Sequence, residues 1–271
     1  MALKSLFLFA LGISLLVQCG RFGEKITFKD PKDAQQSSST TSKVLFKNQQ
    51  EYDSLIRVID ADTLLTEVGS LEYEDNFNNR CMAKGWLDAQ KSARKISLLE
   101  TSKDGKEITT DFYFHGDQVF FAKQTIYDYK KKSDNWGEIF SYFGPTKKVI
   151  FTGSKIAASF EELQEALPKA VDLTEFDATK ALSVINQKGP FETRYQGHLE
   201  TETHRFIIVG TSGTDAQTSS IAYNDNYPVA IDMVKKHPLY KNKLLRINFS
   251  RVTELGGLSY QGLKGIQRID E

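Results

Sequence analysis

The run Glu107-Ile108-Thr109-Thr110-Asp111-Phe112-Tyr113-Phe114 decides the class of fold. Ile108, Thr110, Phe112 and Phe114 alternate with Glu107, Thr109, Asp111 and Tyr113, and a period of two puts the first set on the inner face of a β-strand. Turn residues bound it on both sides: Lys103-Asp104-Gly105-Lys106 before, His115-Gly116-Asp117 after, and Gly144-Pro145-Thr146 further on. Strand-like runs recur at 94–101, 107–114, 118–127, 138–143 and 148–153. Such runs joined by short turns predict an antiparallel meander from about residue 80 to 153.

Between Phe112 and Phe151 stand twelve aromatic residues, against 11% aromatics in the whole chain, so this sheet is apolar beyond what one buried face requires. Neighbours such as Phe120-Phe121 and Tyr142-Phe143 are expected on opposite faces. Either helices cover the second face, or it forms a groove for a lipid, a glycan or a peptide. On the second reading Trp136, Phe140 and Tyr142 are the candidate contact residues.

Helical signals flank the meander. Tyr52, Leu55, Ile56 and Ile59 fall at i, i+3, i+4 and i+7 and predict a helix over 48–59. Residues 64–68 either extend it or begin a strand. Ser159 followed by Glu162 reads as a capping box for a short helix over 159–167. A further helix over 173–186 is expected to end at Gly189-Pro190.

The last 82 residues order as strand runs at 191–199, 203–210 and 218–223, a short helix, then strands at 244–253 and 258–269. Tyr227, Ala230, Ile231 and Val234 share the helix's face, Asn226 is placed to cap it and Pro238 to stop it. This order of three strands, a helix and two strands resembles the OB-fold, a five-stranded barrel. The resemblance covers 190–271 and rests on element order. It raises nucleic acid as a ligand, which the residues disfavour: ten lysines and arginines stand against nine acids there. Lys235, Lys236, Lys241, Lys243 and Arg246 cluster, and helix ends attract cations in any case. If Phe191, Tyr195 and Leu199 face inward, the first strand turns Glu192, Arg194, Gln196 and His198 outward, leaving no stacking platform.

The amino terminus carries a targeting signal. Lys4 precedes the 13-residue apolar run 5–17, shorter than the roughly 20 residues that span a bilayer. Leu16-Val17-Gln18-Cys19 follows and resembles the lipobox of bacterial lipoproteins, with a branched apolar residue three before the cysteine. Gln18 stands where that family prefers a small residue. The resemblance implies a signal peptide over 1–18, cleavage before Cys19, acylation of Cys19, and a cell-envelope address, lipid-anchored in the outer membrane. An ordinary signal peptide with an incidental cysteine is the alternative. Residues 19–43, with Gln35-Gln36 and a Ser/Thr run at 37–42, are too polar to bury a core and are expected to form a tether.

Catalytic chemistry finds little purchase. Thirty-five basic and thirty-five acidic residues cancel, so no overall field steers the chain to a polyanion. With Cys19 acylated, Cys81 has no partner for a disulfide. His115, His198, His204 and His237 lack the close ligand spacing of a zinc site, though His198 and His204 are placed for neighbouring strands. No G-x-S-x-G surrounds a serine, Thr211-Ser212-Gly213-Thr214 is a loop by composition, and Asp60 with Asp62 lacks the remaining ligands of a calcium loop.

The expected fold is therefore α+β, mainly β: an antiparallel meander sheet with covering helices over 44–158, a helical connector over 159–189, and an OB-like five-stranded barrel over 190–271. The expected function is non-catalytic binding of an envelope protein or of a glycan or lipid ligand, with no cofactor and no metal, and with nucleic acid an improbable partner. Carriage of an apolar ligand, and a hydrolase whose site is assembled from distant residues, are the alternatives.

Overall fold

The computed structural model describes residues 49–269. The fold is α+β and mainly β, built on one large mixed sheet. Helix α1 (Gln49–Ala61) leads into β1 (Thr66–Gly69), β2 (Tyr73–Asp75), β3 (Arg80–Leu87), β4 (Ala93–Thr101), β5 (Glu107–His115), β6 (Gln118–Tyr127), β7 (Trp136–Phe143) and β8 (Val149–Ala157). Strands β3 to β8 pair antiparallel in chain order; β4 to β8 are the five expected runs, and β3 is a further strand inside the expected span of the meander. Residues 64–68, ambiguous by periodicity, contribute to β1, which pairs with β3.

The aromatic run is apolar on both faces because both are covered. Phe112, Phe114, Ala122 and Phe143 face the main core, whereas Tyr113, Phe121, Phe140 and Tyr142 face α1, which buries Tyr52 and Ile59 against them. Polar pins complete the seat: Tyr52 donates to the Phe143 carbonyl at 3.0 Å, Tyr142 to Asp53 at 2.6 Å, and Tyr113 to Asp60 at 3.0 Å. One expectation fails here. Phe120 and Phe121 lie in the same cluster under α1, because the ladder shifts register between Tyr113 and Phe114 and leaves Phe120 as the extra residue of a bulge.

After β8 come α2 (Phe160–Glu165), the two-residue β9 (Lys169–Ala170) and α3 (Thr179–Asn186). Ser159 caps α2 by accepting from the Glu162 amide at 3.1 Å, while the Glu162 carboxylate reaches the Ala158 amide at 3.2 Å. The helix expected over 173–186 starts only at Thr179. Asp177 accepts from both the amide and the hydroxyl of Thr179, and Thr174 is tied to the sheet through Ser141 and Thr152. Ala181, Leu182 and Val184 of α3 then enter the main core.

A single 3-10 turn at Gly189–Phe191 delays β10 (Arg194–Glu200), which is followed by β11 (Arg205–Gly210), β12 (Gln217–Tyr223), α4 (Pro228–Lys235), α5 (His237–Tyr240), β13 (Leu245–Thr253) and β14 (Ser259–Arg268). Asn226 does not cap α4: its amide donates back to the Asn224 side chain, and Pro228 opens the helix. Pro238 falls in the first turn of α5 rather than acting as a stop. Leu199, expected inward with Tyr195, is 52% exposed because a bulge between Tyr195 and Gly197 changes the face presented. Strands run β10-β11-β12-β14-β13, with β12 and β14 parallel and the other pairs antiparallel. The starts of β10 and β13 meet through one bridge, Arg194 to Leu244, and backbone bonds such as Tyr195 N to Lys243 O at 2.9 Å. That is a local contact, not a strand-length ladder, so the expected closed barrel is not formed as such.

Strand β12 joins the two halves. Its first residues pair with β2 and its last with β14, so the sheet forks along one strand. The fork strands backbone polar groups, and the Gln261 side chain fills it. Its amide donates to Ser219 Oγ at 2.8 Å and to the Glu72 carbonyl at 3.3 Å, while its oxygen accepts from the Glu72 amide at 2.8 Å. Arg251 closes the outer side with an ion pair to Glu72. Gln261→Leu leaves those groups unsatisfied in a buried place and is predicted to cost about 1–3 kcal/mol. Urea unfolding with an unchanged midpoint would show that the fork does not depend on this amide.

Candidate functional site

A concavity of about 410 Å³ with convergent polar groups lies on the carboxy-terminal half, across the ends of β11, β12 and β14. Its floor carries Ala222, Gly262 and Leu263, its rings are Tyr223, Tyr227 and Tyr260, and its rim is the turn between β10 and β11. That turn is tight because Thr201 and His204 share three hydrogen bonds: the Thr201 amide and hydroxyl donate to the His204 carbonyl at 2.8 and 3.0 Å, and the His204 amide donates to the Thr201 hydroxyl at 3.0 Å. On the far side, the Asn224 carbonyl accepts from the Tyr227 amide as the chain turns into α4.

A polar relay crosses from the rim to the turn between β13 and β14. His204 Nε2 lies 2.9 Å from Glu254 Oε1, and Tyr260 donates to the same oxygen at 3.0 Å. A carboxylate only accepts, so Nε2 carries a proton, and Nδ1 lies 2.8 Å from the Thr203 hydroxyl. The Tyr260 ring meets His204 edge-on, with centroids 4.8 Å apart. Arg205 is held by Asp225 at 2.7 Å and lies over the Tyr223 ring, 5.2 Å from its centroid. Glu200, Glu202 and Lys264 line the same cleft with no ion pair among the described residues. The arrangement offers fixed aromatic surface beside acceptors and donors, the composition of a binding site for a polar ligand.

Of the residues singled out from sequence, His204 and Tyr227 line this cleft, and the candidate contact residues sit elsewhere. Phe140 and Tyr142 are 6% and 5% exposed, packed beneath α1, so they are core residues and not a contact surface. Trp136 is half-buried at the start of β7, its ring between those of Tyr127 and Phe160. Cys19 lies outside the described residues. Cys81 is buried, and burial pushes its thiol up to about 11, which leaves it inert. Asp60 binds Lys95 and Tyr113, and Asp62 closes a turn onto Leu64. The loop 211–214 accepts from Asn76. His198 does not neighbour His204 but faces His237, centroids 5.9 Å apart, and no group of three metal-ligating side chains occurs among the described residues.

The cleft itself escaped the sequence reading, which sought a platform on β10. Its rings come from β12, β14 and the loop before α4, and the one signal available was Tyr223 and Tyr260 standing near the ends of strand runs. No family model, no curated protein and no solved structure matches the chain.

Two outcomes test this geometry. Hydrogen bonds from His204 and then Tyr260 hold the Glu254 carboxyl below the usual carboxylate range. A carboxyl lowered in the folded state contributes stability above its unfolded pKa and loses it as pH falls through the folded one. Tyr260→Phe therefore raises the Glu254 midpoint in a carbon-13 NMR titration, and an unmoved midpoint would exclude the tyrosine from the relay. Separately, the buried Tyr195 hydroxyl has no hydrogen-bond partner among the described residues, and burial pushes its pKa up to about 12. Tyr195→Phe is expected to keep or raise the melting temperature; a loss above about 1 kcal/mol would mean the hydroxyl is satisfied in solution.

Proposed function

We propose that this protein is a lipid-anchored, non-catalytic component of a bacterial cell envelope whose carboxy-terminal unit binds an envelope partner or ligand. The lipobox-like Leu16 to Cys19 supports the address. Among the described residues no helix is long and apolar enough to cross a membrane, so a lipid on Cys19 would be the attachment.

The observation that carries the binding role is the cleft across β11, β12 and β14. The order β10-β11-β12-β14-β13, the parallel β12 and β14 pair and the helices between the third and fourth strands support an OB-like reading of 190–271. In that fold the second and third strands and the loops after the first and fourth strands hold ligands. Those elements here are β11, β12, the turn 201–204 and the turn 254–258, where the cleft and its relay lie. A lipid carrier is less favoured, since the aromatic face it would use is occupied by α1.

Metabolic labelling with palmitate and in-cell crosslinking of the tagged full-length chain test the proposal together. Cys19→Ala is expected to abolish the label and move the protein out of the membrane fraction. Crosslinking to an envelope component should require the lipidated form. Label retained by Cys19→Ala would end the lipoprotein reading.

A further inference from the structure

We infer that the carboxy-terminal cleft is a glycan site that takes a neutral oligosaccharide. The inference rests on the binding reading above and names the ligand class for the same site. The first argument is aromatic. Tyr260 is pinned through Glu254, and Arg205 covers one side of Tyr223, so these rings present faces with little freedom left to lose. Sugar rings offer C–H faces that stack on such surfaces.

The second argument is the pattern of unpaired polar groups. Glu200 and Glu202 only accept hydrogen bonds, the Lys264 ammonium only donates, and none forms an ion pair among the described residues, Glu200 acting on Arg205 only through its field. A hydroxyl does both, so a ligand with vicinal hydroxyls bridges carboxylate and ammonium without introducing charge. A phosphate polymer fits poorly, since it would approach two free carboxylates while the nearest guanidinium is already committed to Asp225. An acyl chain fits worse, because it would strip water from three charged groups and return no hydrogen bond. The volume, about 410 Å³, falls in the range of small-molecule sites, roughly 300–1,000 Å³. It suits a short oligosaccharide segment better than a single ion.

The test is a printed array of neutral and anionic oligosaccharides, with the oligonucleotide dT10 as an added control, probed with the full chain and followed by calorimetry on the strongest ligand. That ligand is expected to be neutral. Tyr260→Ala should weaken it about tenfold, the scale of one lost aromatic contact, and Glu202→Gln should weaken it as well. Tyr260→Phe keeps the ring face but loses the bond to Glu254, and should weaken the ligand less than Tyr260→Ala does. Circular dichroism of each variant separates loss of ligand from loss of fold. A preference for anionic sugars or for dT10, or silence across the array, overturns the glycan assignment. Running Tyr260→Ala through the in-cell crosslinking distinguishes the two readings. A silent array with the captured partner lost would refute the ligand class alone, whereas a silent array with capture unaffected would remove the cleft from binding altogether.

Discussion

Everything in this molecule hangs on β12 serving two partners along one edge. A strand can satisfy only one neighbour per side at each residue, so β2 and β14 must separate where they meet β12. A separation of that kind exposes backbone donors and acceptors inside the protein, where each costs as much as a lost hydrogen bond. The Gln261 side chain, an amide like the backbone it replaces, fills the gap. Because of it the meander and the carboxy-terminal strands share one sheet, and the main core runs without interruption from Leu71 to Leu263.

The same continuity explains why the aromatic richness of residues 112–151 is structural. Two layers press on the meander, α3 with the carboxy-terminal strands on one face and α1 on the other. A two-sided sheet needs apolar residues at successive positions, and Phe112, Tyr113 and Phe114 are buried in turn. The bulges at Phe120 and beside Tyr142 and Phe143 then tune which face each ring serves. Burying such side chains is worth roughly 1.5–3 kcal/mol each, which is why a 13-residue helix with few core residues suffices to hold the second face.

With the aromatic sheet filled, binding chemistry falls to the place where strand ends and loops converge. Loops gather there because β11 starts and β12 ends at one end of the sheet beside β14, and loops tolerate polar residues that a core cannot. The His204, Glu254 and Tyr260 relay spans 56 residues of chain yet sits at the mouth of one cleft. It braces two turns from different strand pairs and so sets the width of the opening between them.

What the amino-acid sequence determined by itself is local. Alternation of apolar residues and the placing of Gly, Pro and Asp settled the meander strands to within a few residues, and the i, i+3, i+4, i+7 pattern settled α1, because both depend on neighbours in the chain. Bulges, the late start of α3 and the burial of Phe140 and Tyr142 were decided by tertiary structure. A one-residue register shift or a covering helix leaves the local pattern unchanged while reversing which side chains meet solvent. The cleft belongs wholly to that second category. Its rings come from β12, β14 and the loop before α4, and His204 and Glu254 from turns 50 residues apart, which only the pairing of β12 with β14 brings together.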